Sequence, residues 1–435
     1  MSLHTGEERP SFGPDVALFL QLAVPMLTAG AFFFYRGEAP DLNNPDLPFA
    51  FRLLKDVVFT AAVFVPFFLI ILTRGVVIPP SVALLLLVPT GLAALMMLIG
   101  TAKADASFIS LGQLRNIGFY YLASGSMALL AWWRGRTMRL FSLFRLLMAF
   151  SVSVGVAFYL LADNLLLYTI HGRMIGTLGN PNFLGFLCFL WLVVLHADIA
   201  SKDSLPFRAR VELGLALIGL FGSASLGALM SYVVWAVVVA VLMLAGVIPS
   251  SRALKRAATT EGLVILVLLG IAAIFVASHT EALQLFLRIQ GVSSGESETT
   301  SIRFADLVVA YGGLMNARGI LLGQDANLQY VQFDGTNQSI LYNFGIPFFL
   351  LWSAFVLSPV LVGVIAWPRW LASRAREDWL AMMLVPFVFV SFFVEFWIQY
   401  VPQMYPTCVI FGLVMYYLVI HSTGRNGGAA PIYIR

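Results

Sequence analysis

One arginine beside a run of turn-forming residues stands out in an otherwise apolar chain. It lies in the segment His171-Gly172-Arg173-Met174-Ile175-Gly176-Thr177-Leu178-Gly179-Asn180-Pro181-Asn182. A guanidinium carries a fixed positive charge and a planar fork that matches phosphate oxygens. Asn180-Pro181 is suited to a helix start, with Asn180 as N-cap and Pro181 at the first helical position, where its missing N–H costs nothing. A helix beginning there points unpaired N–H groups and the positive end of its dipole at whatever precedes it. Gly176 and Gly179 let the backbone approach a ligand closely. Together these features can cradle an anion such as a diphosphate. The same residues also fit a plain tight turn, with Arg173 snorkelling to lipid headgroups. A second candidate is Glu395, late in an apolar run within Phe393-Val394-Glu395-Phe396-Trp397. An acid inside a membrane span is costly, which marks it for charge pairing or proton transfer.

The elements that must position these groups follow from composition. Of 435 residues, 60% are hydrophobic and 11% charged, and the mean hydropathy is +0.89. These values exclude an ordinary soluble domain. The chain reads as an all-α, polytopic integral membrane protein, a single transmembrane domain over residues 1–435. About twelve apolar runs approach the roughly 20 residues a bilayer requires. They cover about 16–34, 56–73, 82–100, 114–133, 140–161, 183–201, 209–224, 226–247, 261–279, 346–366, 379–399 and 404–421. Residues 209–247 form one block, and Gly222-Ser223-Ala224-Ser225-Leu226-Gly227 fits either two helices meeting or one kinked helix. Within the spans, two charges are picked out: Glu395, and Arg145, which is expected to snorkel at a span end. The acidic first residues read as a polar tail rather than a cleaved signal. Cys188 and Cys408 both fall in apolar spans, so neither a disulfide framework nor a metal site is expected. The net charge of +4 does not point to nucleic acid.

Basic residues occupy every second loop: Arg134, Arg136 and Arg139; Lys202, Arg208 and Arg210; Arg252, Lys255 and Arg256; Arg369, Arg374 and Arg376. The positive-inside rule assigns those loops, and hence both termini, to the cytoplasm. Arg36, Arg52 and Lys55 in an early loop run against the rule and are outvoted. The Arg173 segment then faces outward, as does one long hydrophilic loop, about 280–345, inserted between spans nine and ten. In that loop Ile302 to Leu314 has helical spacing, with Arg303 and Asp306 at i,i+3. Asn337 to Phe344 reads as a short helix leading into span ten. No internal repeat is found, which argues against a transporter such as a lipid-linked oligosaccharide flippase.

The pattern Arg173-x-x-Gly176-Thr177-x-Gly179-Asn180-Pro181-Asn182-x-Leu184-Gly185 resembles the signature segment of the O-antigen ligase and O-antigen polymerase superfamily of membrane glycosyltransferases. The resemblance extends to the topology of about twelve spans, with the large outer loop before the last three. It continues at Arg303, at the Gly-containing turn of Gly323, and at Asn337, Leu341 and Gly345, which resemble a His-Asn…Leu…Gly pattern. The chain departs from the ligases at Thr336, where they carry histidine, and at Ser225-Leu226-Gly227, where many members have Ser-Arg-Gly. No histidine lies between His279 and His421. These departures favour a polymerase over a ligase.

The resemblance implies cofactor-free and metal-independent glycosyl transfer at the periplasmic face of a bacterial inner membrane. The donor is an undecaprenyl-diphosphate oligosaccharide and the acceptor a second lipid-linked repeat; for a ligase it is instead lipid A-core. A chain-length-regulating co-polymerase is a further partner it suggests, and a non-catalytic role in an export complex is another reading. Arg173 and Arg303 are expected to stabilise the departing diphosphate, with Arg288 as a third arginine. Asp325, Asp334, Glu395 and His171 are candidates for proton transfer, and Asp334-Gly335 equally suits a turn. Thr336 and Asn337 join Gly176, Gly179, Asn180 and Asn182 as substrate-binding candidates. Tyr330 and Tyr342 suit stacking on sugars, or simply the membrane interface.

Overall fold

The computed structural model describes residues 12–28, 61, 77–78, 80–102, 118, 120–133, 135–161, 169–170, 173–278, 317–323, 335–398, 407–423 and 432–433. Described in this way, the protein is mostly helical. The first half comprises α1 (Phe12–Thr28), β1 (Val77–Ile78), α2 (Pro80–Ala102), α3 (Tyr120–Trp133), α4 (Thr137–Leu161), β2 (Thr169–Ile170), β3 (Arg173–Met174) and a 3-10 turn (Gly176–Leu178). Four helices follow: α5 (Pro181–Ala200), α6 (Phe207–Gly222), α7 (Leu226–Leu244) and α8 (Arg252–Ser278). The last part comprises α9 (Ala317–Leu322), α10 (Thr336–Ser373), α11 (Arg376–Val390), α12 (Thr407–Thr423) and β4 (Ile432–Tyr433). A π-helical turn, Ser391–Glu395, and one more turn, Phe396–Ile398, extend α11. The expected spans fall on these helices, except the second, which lies almost wholly outside the described residues. Five helices are long and apolar enough to cross a bilayer by length and composition: α4, α5, α7, α10 and α11 with its extension.

Helix α5 is the hub. Every residue from Phe183 to Ala200 is buried, and α4, α6, α7, α8 and α11 all pack on it. From Phe183 to Leu195 its sequence is apolar on all sides, as suits a helix buried all round. Outer helices carry the opposite signature. Leu263, Leu266 and Val267 on α8 and Leu361, Val364 and Ile365 on α10 are largely exposed. Apolar surface of that extent suits a lipid-facing wall and not an aqueous one. Small residues let the hub helices close up: a side chain on Gly185 would come within 2.6 Å of Ser225, and one on Gly219 within 2.5 Å of Cys188.

The block 209–247 is two helices. Residues 223–225 join α6 to α7, and Ala224 turns the chain in the left-handed region at φ 46°. Helix α10 is likewise interrupted, at Gly345 (φ 79°, ψ 178°), so that residues 336–344 form the short helix expected from the sequence. Near the C-terminal end, β4 pairs antiparallel with β1, Tyr433 opposite Val77 and Ile432 opposite Ile78.

Charges gather at the bundle end that bears the basic loops, and here the sequence reading needs correcting. Arg145 does not snorkel. It is 7% exposed and bonds Asp198 at 2.8 Å and Glu212 at 2.7 Å, tying α4 to α5 and α6. Lys202 and Arg376 reach Asp198 as well, at 2.8 and 2.6 Å, and Arg208 reaches Glu212 at 2.8 Å. Asp198, Glu212 and Glu261 are buried acids within α5, α6 and α8, so Arg145 and Glu395 do not exhaust the charges of the spans. Glu261 meets His196 Nε2 at 3.0 Å and lies against Tyr232.

Candidate functional site

The N-terminus of α5 is built as the sequence suggests. Asn180 is the N-cap, in extended conformation at φ −143°, and Pro181 opens the helix. The Asn180 Oδ1 accepts the backbone N–H of Asn182 at 2.8 Å. This bond takes one orphan donor of the first turn, and Pro181 has none to lose. Leading into the cap, Gly176 and Gly179 both take left-handed φ values, 56° and 70°. The close approach that Gly176 permits is to α4, since a side chain there would lie 2.7 Å from Ser151 Oγ. Thr177 fastens the same turn. Its N–H donates to Ser151 Oγ at 3.0 Å, and its hydroxyl donates to the Met26 carbonyl at 2.9 Å.

Arg173 turns inward rather than to lipid headgroups. It is 9% exposed. Its Nε donates to the Ser223 carbonyl at 2.8 Å, and its Nη2 donates to Asn182 Oδ1 at 2.6 Å. Ser223 sits at the C-terminal end of α6, where a cation meets the negative end of a helix dipole. Asn182 is in the first turn of α5. One guanidinium thus bridges the end of α6 and the start of α5, and two bonds fix the plane of its fork. Asn180 and Asn182 are only partly buried at this mouth.

A second group converges from α10, α11 and α7. Thr336, Asn337 and Glu395 are all completely buried. Asn337 Nδ2 donates to the carbonyl of Phe392, within the π-helical turn, at 3.0 Å. Its Oδ1 accepts from Trp352 Nε1 at 3.2 Å. A π-turn displaces carbonyls from their usual partners, and Asn337 occupies one of them. The same turn delivers Glu395 toward α7, where the Ser231 hydroxyl donates to its carboxylate at 3.2 Å. Ser231 lies about six residues along α7 from the Ser225 that packs on Gly185, roughly 9 Å deeper at 1.5 Å per residue.

Two motif glycines meet beside this group. Gly323, closing α9, has φ 77°, and Gly345 has φ 79°. A side chain on Gly345 would lie 2.8 Å from the Gly323 nitrogen, and one on Gly323 would lie 2.5 Å from the Tyr342 carbonyl. The backbones therefore touch where neither residue can be anything larger.

His171, Arg288, Arg303, Asp325, Tyr330 and Asp334 lie outside the described residues. Sequence reasoning missed Ser231, Ser223 and the π-turn; a lone serine in an apolar helix carries no signal until its partner is known. Among the described residues, no cluster of three or more His, Cys, Asp or Glu is placed to hold a metal ion. Comparison of the chain with models of protein families and with curated proteins finds no match.

Proposed function

We propose that this protein is a membrane polysaccharide polymerase. It joins undecaprenyl-diphosphate-linked glycan to a second lipid-linked repeat at the outer face of a bacterial inner membrane, without a metal. The observation that carries the reading is Arg173, held rigid between the Ser223 carbonyl and Asn182 at the capped N-terminus of α5. A fixed cation beside a helix N-terminus is suited to a diphosphate. In the reaction, a hydroxyl of the acceptor sugar attacks the anomeric carbon of the donor. The bond from that carbon to the diphosphate oxygen breaks, and undecaprenyl diphosphate departs with the bonding electrons. Arg173, joined by Arg303 and Arg288 of the long loop, stabilises the charge that develops on it. The hydroxyl proton passes to a carboxylate, and Glu395 is the buried one among the described residues that the π-turn directs toward α7. Asp325, Asp334 and His171 are the other acceptors the sequence offers. Asn337 holds the π-turn in place, and Thr336 stands at the start of α10 beside it.

The deciding experiment is the glycan profile of a deletion strain. Single-repeat glycans with no polymer are expected. Full-length polymer accumulating on the lipid carrier, unattached to lipid A-core, would mean a ligase instead. Single repeats trapped on the cytoplasmic side, with no polymer, would mean a flippase. In the complemented strain, Arg173→Ala and Arg303→Ala should each abolish polymer while protein levels persist. A wild-type chain-length distribution in either variant removes that arginine from the diphosphate site.

A further inference from the structure

At the bundle end that bears the basic loops, a groove of about 280 Å³ opens between the end of α3, the start of α4 and the second half of α12. We infer that it binds a phospholipid with an ammonium headgroup, from the leaflet at that end. The walls are apolar, with Ala128, Ala131, Trp132 and Ile420 among them, and suit the upper part of an acyl chain. The volume falls just below the roughly 300 Å³ at which pockets for drug-sized ligands begin, which fits a headgroup with its first methylenes.

The polar end of the groove selects the charge of the ligand. Glu377 lines it from the first turn of α11. The acid beside it, Asp378, is already committed, accepting from the His421 ring at 2.7 Å and the Ala375 N–H at 3.3 Å. The Glu377 carboxylate has no such commitment among the described residues. Only its backbone carbonyl is engaged, by the Tyr417 hydroxyl at 2.7 Å, which pins this turn to α12. Trp132 and Tyr417, both lining the groove, are aromatic residues of the kind that attract cations, and the Tyr417 ring is itself stacked on His421. An acid flanked by aromatic rings disfavours an anionic headgroup and favours an ammonium.

Native mass spectrometry of the full-length protein tests this inference, with dioleoyl phosphatidylethanolamine and dioleoyl phosphatidylglycerol titrated in competition. The wild type should retain one phosphatidylethanolamine in preference. A half-exposed ion pair of this kind supports a preference of about threefold. Glu377→Gln, at a partly exposed helix start, should erase the preference, and Glu377→Lys should invert it. Arg173→Ala, at the opposite end of the bundle, should leave it intact, so a failed polymerase reading does not touch the result. Equal retention of the two lipids by the wild type overturns the inference, as does an unchanged preference in both Glu377 variants. Binding of free phosphoethanolamine as tight as that of the lipid would replace the lipid with a soluble amine.

Discussion

Arg173 shows how far a single residue can be read before its surroundings are known. Its neighbours Asn180, Pro181 and Asn182 specify a helix start through contacts two residues apart, and such contacts are written in the local sequence. That the guanidinium faces inward depends on Ser223, fifty residues away, and no local pattern carries that. The same holds for Glu395. Its place in an apolar run was legible, but its partner Ser231 is 164 residues distant. The carboxylate makes a sharper test than the arginine, because Arg173 also braces two helix ends. Glu395→Gln keeps an oxygen that can accept from Ser231 and removes the proton-accepting charge. That variant should fold like the wild type, with a thermal midpoint in detergent within a degree or two. It should make polymer about 10²–10⁴-fold more slowly, the usual contribution of a positioned acid or base. Wild-type polymer from Glu395→Gln would leave proton transfer to Asp325, Asp334 or His171.

The elements around the site are interrupted where continuous helices would be simpler. Helix α10 breaks at Gly345, α6 and α7 part at Ala224, and α11 passes into a π-turn at Ser391. The first two breaks were legible. Gly345 stood in a motif and Ser-Ala-Ser stood between two apolar runs, though one kinked helix remained an equal reading there. The π-turn has no composition of its own, and it is recognised only through Asn337 and its bond to the Phe392 carbonyl. Removing that amide in Asn337→Leu would leave the carbonyl and the Trp352 N–H buried without it, at about 1–3 kcal/mol for each group. The paired glycines give a cleaner measurement, because the loss comes from backbone geometry. Gly345→Ala should destabilise the protein by more than the roughly 1–3 kcal/mol that this positive-φ, extended conformation costs a non-glycine residue, since the new carbon also meets the Gly323 backbone. Gly323→Ala should act alike. Because both changes relieve or break one contact, the double variant should lose clearly less than the sum of the two, as measured by thermal unfolding in one detergent. Additive losses would mean that α9 and the break in α10 are independent.

At the scale of the whole molecule, the buried ion network determines which helices must arrive together. Arg145, Asp198 and Glu212 come from α4, α5 and α6, and Arg376 brings α11 to the same point. A long-range arrangement of this kind is invisible in a sequence scan, which sees Arg145 as an isolated charge near a span end. Arg145→Met strands two carboxylates among the remaining cations and should destabilise the bundle by about 3–5 kcal/mol, seen as lost expression or a large drop in thermal midpoint. An unchanged midpoint would make the network a surface feature. The network also bears on orientation. Lys202, Arg208 and Arg376 were counted as loop charges that mark the cytoplasmic side, yet each spends its charge on a buried carboxylate. Because the rule counts Lys and Arg and not net charge, that pairing leaves the orientation resting on the same basic loops. Cysteine labelling decides the matter directly, because Cys188 and Cys408 are both buried and give little background. Ser204→Cys, in the exposed turn between α5 and α6, should resist a membrane-impermeant maleimide in intact spheroplasts and react after lysis. Ser294→Cys, in the stretch expected from the sequence to form the outer loop, should react in both. The reverse pattern would place the Arg173 mouth in the cytoplasm, where no lipid-linked repeat awaiting polymerisation at the outer face could reach it.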